Sequence, residues 1–157
     1  MIRTIDPYIS KGKSVVDDLF GFQVESTWKN TENAEEPEEV KLETMNKLPC
    51  IIDNQANPVN ILTDGLEAGL TDELEKHSPT ENRNCVYKKE GRLLTLPKYL
   101  VVQEVRFIWK KKDIGTVTDA RKAKILRAVA FPKVLDIEPF CAKELKMKLA
   151  EGKEILK

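Results

Sequence analysis

The sequence predicts an α+β fold built around a mainly antiparallel sheet. Strand-like segments predominate, helical spacing is confined to a few short stretches, and the two kinds of segment do not alternate along the 157 residues. Grouped helices and strands are typical of α+β domains, whereas regular alternation would indicate a doubly wound sheet. A chain of this length usually forms one domain with a real hydrophobic core.

The first elements are predicted from their spacing and from their end signals. Residues 14–20 can form a short helix that ends at Gly21, a common helix stop. Residues 22–29 alternate between apolar and polar side chains, the pattern of a half-exposed strand. Residues 30–43 are acidic and contain Pro37, so we expect a mobile loop at a hairpin tip, although a plain solvated connector would look the same. Residues 47–53 form a second short strand at a sheet edge.

The middle of the chain changes to helical spacing and then back. Four leucines recur every fourth residue between positions 59 and 76, which predicts two short helices broken near Gly69: Leu62, Leu66, Leu70 and Leu74. Residues 84–96 read as a hairpin that turns at Glu90 and Gly91.

The last third contains the most strand-like segment. Residues 99–109 are rich in β-branched and aromatic side chains on both faces, which predicts one long strand in the middle of a sheet. Residues 110–122 form a charged loop and residues 123–131 a further strand. Residues 141–157 form an amphipathic helix with leucines near one face.

Composition excludes several classes of protein. Hydrophobic residues make up 41% of the chain and charged residues 33%, which is typical of a globular domain. The 26 basic and 26 acidic side chains cancel, so no overall field favours nucleic acid or an anionic membrane. The chain has no apolar run of the roughly 20 residues that a membrane span needs. We therefore expect a soluble, intracellular protein that binds neither nucleic acid nor membrane.

The cysteines and the histidine do not form a recognisable catalytic or metal site. The three cysteines, Cys50, Cys85 and Cys141, are widely spaced, and His77 is the only histidine. Cysteine catalysis needs a thiolate beside an imidazole, and no spacing here links the two. We expect reduced cysteines with inert structural or surface roles. A structural zinc site usually needs cysteine or histidine ligands in closely spaced pairs, which this chain lacks, so no metal is expected. The seven glycines form no phosphate-binding motif, so no cofactor is expected either.

Several segments together resemble the ubiquitin-specific protease family. The palm segment of that family is matched by Leu96-Pro97, Tyr99, Arg106-Phe107, Trp109, a basic loop, Phe131-Pro132 and Leu135-Asp136. Its finger strand is matched by the residues FGFQVE at 20–25. Further matches place the chain nearest to the proteasome-associated branch, whose members carry an N-terminal ubiquitin-like domain: Gly65-Leu66, Gly69-Leu70 and Ser78-Pro79-Thr80.

The resemblance implies part of a papain-like ubiquitin-specific protease domain. It divides the single partial domain, residues 1–157, into fingers with inserted helices at 14–95, central palm strands at 96–140 and a C-terminal helix at 141–157. The chain lacks the family's cysteine and histidine boxes, so we expect a fragment that contributes ubiquitin-binding surface but no catalytic residues. The parent would be a thiol-dependent ubiquitin hydrolase of cytoplasm and nucleus, with ubiquitin and the proteasome as partners. The alternative is a non-catalytic adaptor that binds ubiquitin or the proteasome.

Site residues follow from the same resemblance. Phe107 and Trp109 match the aromatic pair that lines the cleft for ubiquitin's C-terminal tail; the alternative is that they are core aromatics. The loop after them matches a blocking loop over that cleft, though a solvated loop would look alike: Lys110, Lys111, Lys112, Asp113 and Gly115. The lysines could suggest nucleic acid, but acidic residues interrupt them. Three finger-strand residues, chosen by alternation, complete the predicted ubiquitin surface: Gln23, Glu25 and Trp28.

Overall fold

A computed structural model describes residues 14–52, 58–110 and 121–155. In these ranges helices and strands are grouped rather than alternating, and the largest sheet is antiparallel, so the predicted α+β class is confirmed. The elements in chain order are α1 (Val15–Phe20), β1 (Phe22–Asn30), β2 (Glu39–Met45), β3 (Leu48–Ile51), α2 (Leu62–Leu70), β4 (Thr71–Ser78), β5 (Arg83–Leu93), β6 (Val102–Val105), β7 (Phe107–Lys110), β8 (Arg121–Lys124), a 3-10 turn (Glu138–Phe140) and α3 (Lys143–Ile155).

The four-stranded sheet has the order β2-β1-β5-β4, with every neighbouring pair antiparallel. One face of this sheet contributes to the main core at the start of β1 and the end of β5, where Phe22, Val24 and Leu93 are almost completely buried. Helix α2 covers this region through Leu62, Leu66 and Leu70. Below the helix lies β3, which contributes the fully buried Leu48 and Cys50.

Helix α2 lies unusually close to β3, and glycine makes this possible. A Cβ atom on Gly69 would overlap the Pro49 carbonyl oxygen and would lie 2.9 Å from the carbonyl carbon. A Cβ on Gly65 would overlap the Cys50 sulfur. The two glycines therefore set the distance between helix and strand.

Predicted helix α1, strand β1, the first half of the leucine repeat and helix α3 are confirmed. Ser14 caps α1, since its hydroxyl accepts a hydrogen bond from the Val16 amide at 3.2 Å, and the backbone leaves the helix at Gly21 as predicted. None of the helices in the described ranges combines the length and apolar character that a membrane crossing needs.

Two predictions for the finger region are wrong. Residues 39–43, predicted as the end of the loop, belong to the edge strand β2, in which charged and aliphatic side chains alternate on opposite faces. Residues 71–78, predicted as a second helix, form β4, because eight consecutive residues pair with β5 and that pairing outweighs the local leucine spacing.

The predicted hairpin at residues 84–96 is also wrong. Strand β5 runs unbroken through Gly91, where a side chain would press on Leu70 and Val24 of the core. The chain turns earlier, at residues 79–82, and Asn82 adopts a positive φ of 51°. Asparagine tolerates that conformation better than most residues.

The predicted long central strand is wrong in its continuity and its burial. It divides at Arg106 into β6, which pairs in parallel with β3, and β7, which pairs antiparallel with β8. Arg106 holds the break, because its guanidinium donates to the Arg127 carbonyl at 2.8 Å and pairs with Glu104. Each strand has one partner strand among the described residues, which leaves side chains such as Phe107 exposed. The strand predicted at 123–131 is short: β8 ends at Lys124.

Candidate functional site

The three thiols are buried structural groups. Cys50, Cys85 and Cys141 are reduced and at most 1% exposed. The Cys50 sulfur lies 3.9 Å from the Leu62 carbonyl oxygen, and the Cys141 sulfur lies 3.3 Å from the Ile137 carbonyl oxygen. Burial raises the pKa of both the Cys50 and the Cys141 thiol. These two thiols therefore stay protonated, whereas a nucleophile would have to be a thiolate.

The only histidine does not lie beside a thiol. His77 is exposed in β4, not at the predicted helix end, and is registered opposite Asn84. Its neighbour Lys76 is registered opposite Cys85, and adjacent residues of a strand point to opposite faces. His77 therefore faces away from Cys85. All three cysteines and the histidine lie in the described ranges, and their arrangement provides no nucleophile–base pair.

The finger-strand residues predicted to contact a partner lie on two different faces. Gln23 is exposed and Glu25 is half-buried on the face of the sheet opposite the core, here called the open face. Trp28 lies on the other face, with Phe22 and Val24. The structure thus brings Gln23 and Glu25 together and separates Trp28 from them.

The open face carries two aliphatic side chains that the sequence reasoning missed. Val40 and Leu42 of β2 are 55% and 66% exposed. Leu42 is registered opposite Glu25, and Val40 opposite Thr27, so they share the face of Gln23 and Glu25. The alternation in EVKLET was the available signal, but the acidic run before it favoured a loop.

Trp28 lies in a cluster of aromatic and basic side chains. The Lys76 and Lys89 ammonium groups each lie 5.6 Å from the centre of the Trp28 ring, and Lys76 lies 4.3 Å from the centre of the Tyr87 ring. Cations over aromatic faces are attracted by the ring quadrupole. The buried Trp28 indole N–H has no acceptor among the described residues. Trp28 is thus half-buried in this cluster, on the core side of the sheet.

The loop at residues 31–38 is fixed by a carboxylate, so the predicted mobile loop is shorter and held in place. The Glu36 carboxylate accepts hydrogen bonds from Tyr87 at 2.5 Å, Ser78 at 2.7 Å and Asn30 at 2.7 Å. These hydrogen bonds, that from Tyr87 foremost, lower the pKa of Glu36. We call this arrangement the Glu36 clasp.

Glu32 adds a second attachment of the same loop. It accepts from the Val86 amide at 2.9 Å and from Arg83 at 2.7 Å, and the Val86 amide is the main reason that the Glu32 pKa is lowered. Among the residues described, no three histidine, cysteine, aspartate or glutamate side chains are placed to hold a metal ion. In the described structure, hydrogen bonds to the Glu36 and Glu32 carboxylates thus hold the loop at residues 31–38 against strands β4 and β5.

Of the two predicted cleft aromatics, Phe107 is the one whose side chain the structure describes. Its side chain is 55% exposed, and the Lys122 ammonium group lies 4.5 Å from the ring centre. This exposure argues against the core alternative for Phe107. Trp109 and Lys110 belong to β7 by backbone pairing, but their side chains lie outside the described part. The other predicted blocking-loop residues also lie outside it: Lys111, Lys112, Asp113 and Gly115.

Comparison with known proteins gives matches over nearly the whole chain. Residues 5–154 match the family model described as ubiquitin carboxyl-terminal hydrolase. The chain is 40% identical over 151 residues to Ubiquitin carboxyl-terminal hydrolase 6 of Arabidopsis thaliana, which covers 96% of this chain and 29% of that protein. It is 41% identical over 133 residues to Ubiquitin carboxyl-terminal hydrolase 6 of Schizosaccharomyces pombe, covering 84% and 26%. The chain thus spans less than a third of these curated relatives.

Solved structures are similar in fold. The SAGA Ubp8/Sgf11/Sus1/Sgf73 DUB module bound to ubiquitin aldehyde contains a chain that matches with a TM-score of 0.63 at 18% identity, covering 85% of this chain and 28% of that one. A SAGA DUB module bound to monoubiquitin contains a chain that matches with a TM-score of 0.62 at 17% identity, covering 87% and 29%. The papain-like fold inferred from the sequence is thereby confirmed.

Proposed function

Because the chain belongs to the ubiquitin carboxyl-terminal hydrolase family, we propose that it supplies ubiquitin-contacting surface to a thiol-dependent deubiquitinating protease and does not supply the catalytic residues. The parent protease would hydrolyse the bond that follows ubiquitin's C-terminal glycine. The observation that carries the second half of the proposal is the burial of all three thiols together with the exposed, remote His77. Hydrolysis by a cysteine needs a thiolate within hydrogen-bond reach of an imidazole.

Ubiquitin is the proposed partner because of the open face and Phe107. Val40 and Leu42 offer exposed aliphatic contact area beside Gln23 and Glu25, and Phe107 offers an exposed aromatic ring. Exposed apolar side chains bordered by polar ones are typical of protein-binding surfaces. Ubiquitin aldehyde and monoubiquitin, bound in the structurally similar modules, support the choice of partner.

Association of the parent with the proteasome, in cytoplasm and nucleus, is proposed from the resemblance to the proteasome-associated branch. A second candidate function is a non-catalytic adaptor for ubiquitin or the proteasome, which the missing thiol–imidazole pair favours. The two candidates differ in whether flanking sequence in the same gene supplies a cysteine box and a histidine box.

The purified chain should be inert towards a ubiquitin-derived thiol probe such as ubiquitin vinyl sulfone. The reason is that every thiol is buried and lacks a base. Intact-mass spectrometry after incubation should show no adduct, and a fluorogenic ubiquitin substrate should remain uncleaved. Labelling of Cys50, Cys85 or Cys141 that requires a folded ubiquitin moiety would contradict the proposal.

Replacing Phe107 by alanine should weaken ubiquitin binding without unfolding the protein. Exposed substitutions away from special features usually change stability by no more than about 0.5 kcal/mol. Phe22→Ala is the matched control, since Phe22 is buried and its truncation should cost about 3–5 kcal/mol. Thermal melts and titrations of labelled ubiquitin separate the two effects. A large loss of stability in Phe107→Ala would mean that the ring is packing, and the cleft assignment would fail.

A further inference from the structure

We infer that an acidic, apolar-floored cleft beside the open face docks a segment of ubiquitin that carries an aliphatic side chain next to a lysine or an arginine. This inference rests on the proposed function, because ubiquitin is its occupant. It assigns to the binding surface a cleft for which the resemblance to the family implied no contact with ubiquitin.

The cleft is formed by three parts of the chain that are distant in sequence. It has a volume of about 530 Å³ and lies between the first turns of α2, the end of β5 and residues 132–140. Its apolar lining includes Phe140, which is almost completely buried, Leu135, which packs against the core, and Val134, which is 84% exposed. The cleft therefore offers a firm apolar floor and one exposed aliphatic contact at its rim.

The charges that line this cleft are unbalanced, and none of them is in a close ion pair. Asp64, Glu67 and Asp136 contribute three carboxylates, against the single guanidinium of Arg92. None of the four has an ion-pair partner in the described part of the chain; Asp136 accepts only the Glu138 amide, at 3.0 Å, and Asp64 only the Thr63 hydroxyl, at 3.4 Å. A net negative rim favours a positively charged partner and disfavours an acidic one.

Arg92 connects the cleft to the open face. It is registered opposite Glu25, which is in turn registered opposite Leu42 on the edge strand. Cross-strand partners lie on the same face of a sheet, so one row of side chains runs from Leu42 through Glu25 to the mouth of the cleft. A broad sheet face that continues into a cleft suits a folded protein better than a small ligand. One side chain of the protein partner can fill the cleft while the rest of its surface contacts the sheet.

The test is a titration of isotope-labelled ubiquitin with the full 157-residue chain, followed by NMR at low ionic strength. Val134→Asp should weaken binding about tenfold, as loss of an apolar anchor does. Glu67→Lys should weaken it about fivefold, by an amount that shrinks as salt is added. The ubiquitin signals that shift with the unmodified chain but no longer shift with these variants should belong to aliphatic residues next to lysine or arginine.

Two matched controls lie on helix α3. Ile155→Asp replaces an aliphatic residue with the same 84% exposure as Val134, and Glu151→Lys reverses an exposed charge as in Glu67→Lys. Both controls should bind like the unmodified chain, and melting curves should show that all four variants fold. If the unmodified chain shifts ubiquitin signals and the two cleft variants shift them equally, the docking site is wrong while the proposed function stands. If the unmodified chain shifts none, both fail.

Discussion

Gly69→Ala should destabilise the protein by about 1–3 kcal/mol, the usual cost of forcing an extra methyl into a tightly packed site. A glycine-to-alanine substitution inside an ordinary helix stabilises the protein by about 1 kcal/mol, so the sign of the change in unfolding free energy distinguishes the two cases. The reason is the approach of α2 to β3, where the added methyl would overlap the Pro49 carbonyl oxygen. Backbone cannot rotate out of the way as a long side chain can.

Gly152→Ala is the matched control for this effect. Gly152 also lies in a helix, α3, but a Cβ there would meet no atom within 4 Å. This variant should gain stability, and urea denaturation of both variants measures the difference. Equal stabilisation of the two would show that α2 and β3 are not in close contact. Because α2 also carries Asp64 and Glu67, a displaced helix in Gly69→Ala should weaken ubiquitin binding as well.

Glu36→Ala should release the finger tip while leaving the core intact. Three buried or nearly buried donors, Tyr87, Ser78 and Asn30, would lose their shared acceptor. Buried donors without a partner are costly, so the loop and the β4–β5 turn should open to water. Amide hydrogen exchange should become fast at Glu32 and Val86 and stay slow at Val24 and Leu93. Glu75→Ala, an exposed glutamate on β4 with no ion pair in the described structure, should change neither set.

Acid should open the same tip in the unmodified protein. Glu36 and Glu32 have lowered pKa values, and hydrogen bonds from Lys76 and then Lys41 lower the pKa of Glu39 from 4.5 to about 2. A folded pKa below the unfolded one means that the ionised carboxylate stabilises the folded tip. That stabilisation is complete above about pH 4.5 and is lost as the pH falls through the folded values, which for Glu39 extends to about 2. The protection factors of the tip amides, which are exchange rates corrected for the intrinsic effect of pH, should therefore fall over this range, and Glu36→Ala should remove part of that pH dependence. A flat profile in the unmodified protein would contradict the clasp.

Sequence spacing predicted the elements that bury one apolar face. Strand β1 and the leucine repeat of α2 show their period because one side of each contacts the core. Helix α1, which has no buried residue, was predictable from its stop at Gly21. Strand β2 was missed because the acidic run before it outweighed its alternation, and β4 was missed because its exposed charged residues form no apolar face. Pairing of β2 with β1 and of β4 with β5 stabilises both strands, and this long-range contact is not visible in the local sequence.

The candidate site was predictable only in its chemistry. The sequence spacing linked no cysteine to His77, and in the structure His77 faces away from Cys85. The sequence did not show that Trp28 lies on the opposite face of β1 from Gln23 and Glu25, because which face is free depends on what packs against the strand. The cleft was not predictable at all, since Glu67, Arg92 and Val134 become neighbours only through the packing of α2, β5 and the segment before α3.

The burial of the native thiols has a practical consequence for spectroscopy. Reagents such as maleimides attack accessible thiolates, and Cys50, Cys85 and Cys141 are shielded from solvent in the folded chain. A cysteine introduced at an exposed position such as Val134 would thus be the group that takes up a fluorophore or a spin label under native conditions. The folded protein is in this sense a background-free scaffold, on which one dye at the cleft can report the arrival of a partner directly.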